Sequence, residues 1–262
     1  MNLIRRQIIE RLIRALLLLF TNQNSYTGPD IDKFVDQAVP LVRGAQRALA
    51  GAVAADMAAR ATAATGRPVP PPRIPDSAVV NLREGVDDTE VYRRPARALL
   101  KSLSAGDERD LAERKGSLRL EGIADLDMQM TYASASRAAM DGLPEGVRPE
   151  YWRRVLQGTE SCALCVIAST QRYRRDRLNP IHPGCDCTVE AIFGQVSHVL
   201  DDDLLERAHA AVAELTGKSD RTGRDGLDYR HVLLSTVKRH GEVGDMLARP
   251  LHDWTGSSDL GR

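Results

Sequence analysis

The sequence predicts a mainly α-helical protein with one small α+β module in its C-terminal part. Three observations predict it. Aromatic residues make up only 4% of the 262 residues while alanine and leucine are conspicuous, a balance that suits helices and argues against a large β-sandwich. The chain before residue 145 reads as long helical segments broken by a proline-rich stretch. All four cysteines fall between Cys162 and Cys187, as Cys162-x2-Cys165 and Cys185-x-Cys187, with His182 three positions ahead of the second pair. That grouping is the donor set of a tetrahedral metal site. The expected fold is therefore mainly α with a small α+β, zinc-stapled C-terminal module.

The length allows one large domain or two modest ones. The pattern divides into an N-terminal helical docking region (1–65), a proline-rich linker (66–76), a second helical region (77–145), the Cys/His module (146–197), and a C-terminal helix and tail (198–262). Acids and bases balance at 36 each, so any nucleic-acid contact has to be a local patch.

Leu3, Ile4, Ile8, Ile9 and Leu12 lie on related faces of a first helix, which becomes apolar all round at Ala15 to Phe20. Such an end calls for burial on several sides, in the core or against another subunit. The apolar run is far shorter than a membrane span, so no span is expected. Arg5 and Arg6 imitate the start of a signal peptide, but no small-residue cleavage site follows, and TNQNSYTGPD reads as a loop.

Pro29 to Thr65 reads as one long helix or two, with Asp30 as N-cap and Gly66 as C-terminal cap. Its alanine-rich part, Ala45 to Ala64, suits close packing against a neighbouring helix. Five prolines between Gly66 and Pro75 exclude helix and favour an extended spacer. Thr89 to Leu103 is the next helix, interrupted by Pro95. Asp107 to Met140 follows, with Gly116 and Gly122 as weak points and Met128, Met130 and Tyr132 as packing residues. Asp141 to Pro149 is a turn-rich boundary.

The module proper begins at Tyr151. A CxxC turn aims two thiolates at one centre, and a second cluster reached through a loop closes the tetrahedron; Zn2+, indifferent to redox and content with sulfur and nitrogen, is the natural occupant. Five donors compete for four places. Cys162, Cys165 and Cys185 are the favoured ligands, and His182 and Cys187 contest the fourth. Disulfides or buried small thiols are the alternatives. The clustering and the lack of a secretory signal favour a structural metal in a reducing compartment.

Between the cysteine pairs runs Arg172-Tyr173-Arg174-Arg175-Asp176-Arg177. Its arginines could grip phosphates while Tyr173 stacks on a base, or the run is a solvated loop partly neutralised by Asp176 and Glu160. Thr188 to Phe193 alternates in β-prone fashion and reads as a short strand. Asp201 to Leu215 reads as a helix, Gly217 to Gly226 as a loop, and Tyr229 to Lys238 as strand or helix.

No catalytic pattern is specified. His240-Gly241-Glu242 follows the CxxC pair, whereas zinc deaminases place HxE before PCxxC, and Ser161 stands where their proline would be. Metal ligation would silence Cys162 or Cys165 as a nucleophile, and no GxSxG elbow exists. An HNH-type nuclease would need a histidine pair that is missing near His182.

Cys162-x2-Cys165, a polar loop, and His182-Pro183-x-Cys185-x-Cys187 followed by Thr188-Val189-Glu190 resemble the C-terminal module of phage minor head proteins of the MuF type, above all those of phages infecting actinobacteria. The lead-in Arg154-Val155 to Ser161 and the later His240-Gly241-Glu242-Val243-Gly244 are also similar to that group. The resemblance covers about residues 150 to 245. Where relatives often carry Gly-Pro before the leucine, this chain reads Gly244-Asp245-Met246-Leu247. The resemblance implies a minor capsid component of the virion, made in the host cytoplasm and held at the portal or inner head surface. Its partners would be the portal or major capsid protein and the genomic DNA. Some relatives are labelled capsid maturation proteases, which makes a head protease the competing expectation beside a nuclease.

Overall fold

The computed structural model describes residues 2–23, 25–156, 169–175, 187–194, 197, 199–200, 202–203, 205–206, 235–240 and 244–248. Its first half is a bundle of four helices, α1 (Asn2–Thr21), α2 (Gly28–Thr65), α3 (Asp88–Ser104) and α4 (Arg109–Gly142). The stretch expected to be one helix or two is one. Pro40 lies inside α2 and Pro95 inside α3, and neither ends its helix.

The caps follow from backbone chemistry. Thr27, not Asp30, is the N-cap of α2, and Pro29 falls in the first turn, where a missing N–H costs nothing. Asp30 instead accepts hydrogen bonds from the hydroxyls of Ser25 and Thr27, which hold its carboxyl below the usual range. Gly66 closes the helix as expected, at φ 66°, with its N–H donated to the Thr62 carbonyl.

One buried core joins all four helices. From α1 it takes Leu12, Leu16 and Phe20, whereas Leu18 in the same apolar run is 56% exposed. The end of α1 is thus buried on one face rather than all round. Phe20 sits against Tyr26 and Phe34, with ring centroids 5.4 Å away in each case. Its ring also lies where a Cβ on Gly116 would be, only 2.9 Å from that position. The supposed weak point in α4 is therefore a place where α1 packs closely. The small side chains of α2 serve the same end, with Leu49, Ala50, Val53, Met57 and Ala61 in the core.

The proline-rich stretch is extended, as the composition requires, but it lies on the bundle. Val69 and Ile74 pack against the core, and Pro72 touches the end of α4 at Gly142. The following loop enters through Arg83, whose guanidinium donates to Asp127 deep in α4, while the Tyr92 hydroxyl donates to the other oxygen of that carboxylate at 2.8 Å. Burial raises the Asp127 pKa, with Arg83 and Tyr92 opposing it.

After a 3-10 turn at Glu145–Val147 comes a three-stranded antiparallel sheet. Its strands are β1 (Tyr151–Val155), β2 (Arg172–Arg174) and β3 (Thr188–Ile192), in the order β2-β1-β3. β3 was expected, whereas β2 replaces the loop read from the arginine run. Trp152, Val189 and Ala191 join the helical core, so one face of the sheet is seated on the bundle. A separate hairpin pairs β4 (Ser235–His240) with β5 (Gly244–Ala248). Of the helix expected at 201–215, residues 202–203 and 205–206 are helical and the others lie outside the described residues.

Candidate functional site

β1 alternates burial along its length, as a strand with one covered face must. Trp152 and Arg154 point toward the helices; Tyr151, Arg153 and Val155 lie on the other side. Register carries this alternation to the neighbours. Trp152 stands opposite Tyr173 on β2 and Ala191 on β3, and Arg154 stands opposite Val189. On the outward face, Tyr151 is opposite Arg174 and Ile192, and Arg153 is opposite Arg172 and Glu190.

Of the five metal-ligand candidates, only Cys187 lies among the described residues; Cys162, Cys165, His182 and Cys185 lie outside them. Cys187 immediately precedes β3 and is buried. Arg154 donates from Nη1 to its sulfur at 3.4 Å, and Arg5 of α1 donates to its carbonyl at 2.9 Å. Both guanidinium groups are themselves braced by rings, Arg154 over Trp152 and Arg5 over Tyr132, at 5.1 and 4.6 Å from the centroids. Cys187 is thus set between two cations, at the seam where the sheet meets α1 and α4. Among the described residues, no three His, Cys, Asp or Glu side chains converge as a metal site would need.

The same seam is closed by Tyr132. Its hydroxyl accepts from the Val189 N–H at 3.0 Å and donates to the Val189 carbonyl at 3.4 Å. β3 is an edge strand, and this single side chain satisfies both of the backbone groups that Val189 turns away from β1. Burial pushes the Tyr132 pKa up. Neither Arg5 nor Tyr132 stood out in the sequence as a partner of the cysteine cluster. Their signal is tertiary, since more than 50 residues separate each from β3.

The arginine run divides in two. Tyr173 packs on Trp152 on the helix-facing side, with ring centroids 5.0 Å apart, and burial pushes its pKa up to about 12. It is therefore turned away from Arg172 and Arg174. Arg175 pairs with Asp141 at 2.7 Å, and Arg177 lies outside the described residues. Arg172 and Arg174 remain on the outward face, and the ring they share it with is Tyr151, over which the Arg172 guanidinium lies at 3.9 Å. Glu190 on that face is held by Arg153 and, at 3.0 Å, by Arg60 of α2.

A groove of about 480 Å³ runs between α1 and the start of α2, floored by Ala15, Leu18, Leu19, Phe34 and Leu41. No described helix is long and apolar enough to cross a membrane. No family model matches the chain, and no curated protein or solved structure matches it either.

Proposed function

We propose that this chain is a minor head protein of a tailed phage, which binds at the portal or inner head surface and assists head assembly, genome packaging or delivery. The observation that carries the reading is the placement of Cys187-Thr188-Val189-Glu190, part of the run that resembles MuF-type modules. It forms a strand clasped to the helical bundle by Arg5, Tyr132 and Arg60. The strand that follows Cys187 and the helical bundle are thereby one scaffold, as a docking protein requires. Apolar side chains left at the surface of α1, Leu3, Ile4 and Leu18, supply the kind of face a larger assembly covers.

Zinc is the metal we assign to the module, in a structural role. The Arg154 guanidinium at the Cys187 sulfur favours the thiolate, the form that binds metal, so Cys187 stays beside His182 as a candidate for the fourth place. Cys162, Cys165 and Cys185 with one of these two make a ligand set whose donor types suit a closed tetrahedral site.

The competing reading is a head-maturation protease or an HNH-like nuclease. Substitution separates them. Binding predicts that Cys165→Ser unfolds the module and removes the protein from virions. Catalysis predicts that His182→Ala or His240→Ala leaves incorporation intact and abolishes cleavage of head protein or DNA.

A further inference from the structure

The proline-rich stretch does more than join two helices. A proline fixes its own φ at about −65° and pushes the residue before it to extended backbone. Pro68, Pro70, Pro71, Pro72 and Pro75 therefore hold the run close to a polyproline II helix. Pro75, at φ −72° and ψ 148°, has the dihedrals of that helix. Polyproline II turns once in about three residues, so residues three apart share one of its three edges.

The bundle holds one edge and leaves the other two open. Val69 and Pro72 form the held edge. Val69 packs against the core and donates its N–H to Thr62 Oγ1 at 3.0 Å. Pro72 is buried, with its Cβ 2.9 Å from where a Cβ on Gly142 would lie. Arg67, Pro70 and Arg73 form the second edge and are all exposed, as are Pro68 and Pro71 on the third. Among the described residues, the Arg67 and Arg73 guanidinium groups make no ion pair or hydrogen bond. A groove that recognises Pro-x2-Pro grips two edges of the triangular helix and leaves the third outside. Here the edge left outside is the one already seated on the bundle. The other register, Pro72-x2-Pro75, is closed because Pro72 faces inward.

We propose that residues 67–73 are a docking strip for a partner domain of the SH3 type. Pro68 and Pro71 fill its aromatic-lined groove, and carboxylates on the groove's rim pair with the exposed guanidinium of Arg73. From Pro68 to Arg73 the strip spans about 15 Å at the polyproline rise. Its seat on the bundle fixes the extended conformation before binding, so little chain entropy is lost on docking.

The test is fluorescence anisotropy of a labelled SH3 domain selective for Pro-x2-Pro-x-Arg peptides, titrated with the full chain. The parent chain is expected to bind it. Pro68→Ala/Pro71→Ala and Arg73→Glu are each expected to weaken binding at least about ten-fold. Arg73 is exposed, so Arg73→Glu is expected to leave the melting temperature by circular dichroism unchanged, which separates a lost contact from a lost fold. Pro75→Ala, beyond the strip, is expected to keep the parent affinity. Absence of binding by the parent chain, unchanged affinity in the double alanine variant or in Arg73→Glu, or an equal loss in Pro75→Ala would each overturn the proposal.

Discussion

The Arg154 guanidinium donates to the sulfur of Cys187 at 3.4 Å while lying over the ring of Trp152, two residues back on its own strand. Strand alternation dictates this meeting, because Arg154 pairs with Val189 and Cys187 shares the helix-facing side with Val189. The contact gives Cys187 a cation that favours its thiolate. Cys165→Ser is expected to lose the zinc, and of Cys187→Ser and His182→Ala only the variant that lacks the fourth ligand is expected to lose it as well. Metal analysis of the three purified variants checks this, and zinc retained by Cys165→Ser would contradict the site.

Tyr132 closes the edge of the sheet, and its removal isolates one interaction. Tyr132→Phe keeps the ring under Arg5 and leaves the Val189 N–H and C=O without the hydroxyl. The expected cost is about 1–3 kcal/mol, the range for orphaned buried polar groups, measured by urea unfolding. A cost near zero would show that the hydroxyl does not hold the strand.

Asp127 lies at the centre of the bundle between Arg83 and Tyr92. Asp127→Ala strips a buried guanidinium of its carboxylate and is expected to cost about 3–5 kcal/mol. The pH dependence has a definite sign. Burial raises the folded-state pKa of Asp127 above its ordinary value, so the folded state holds the proton more tightly than the unfolded chain. Its contribution to stability is fully present below the ordinary carboxylate pKa and declines as pH rises through the raised one. Unfolding measured against Asp127→Asn is expected to show the difference shifting against the aspartate as pH rises above about 4.

Gly116 gives a steric test. A methyl group there would meet the Phe20 ring at 2.9 Å and the Leu99 Cβ at 3.2 Å. Gly116→Ala would gain about 1 kcal/mol of helix propensity at an open site. Here overpacking, about 1–3 kcal/mol, is expected to outweigh it, giving a lower melting temperature. Gly122, which has open space around its Cβ position, is expected to respond oppositely.

The helices were legible because their signals are local. Gly66 as a C-cap, the turn after Gly142 and the packing of Met128 and Tyr132 all follow from residues within a few positions of one another. Pro95 was misleading, because α3 continues through it across one lost hydrogen bond. β2 was hidden by its composition: Arg-Tyr-Arg looks like a solvated loop until Trp152 supplies an apolar partner for the tyrosine. The reading of Tyr173 as a base-stacking ring missed that pairing. The roles of Arg5 and Tyr132 could not be read at all, since they arise only when α1 and α4 meet the sheet.

The central claim is that the cysteine-rich end is a metal staple in a binding protein. Metal content of the purified chain by mass spectrometry, with circular dichroism before and after chelation, tests it most directly. One zinc per chain, with loss of module structure on its removal, is the expected result. A chain that carries no metal and whose Cys162 and Cys165 thiols react freely would contradict it and restore the cysteine-nucleophile alternative.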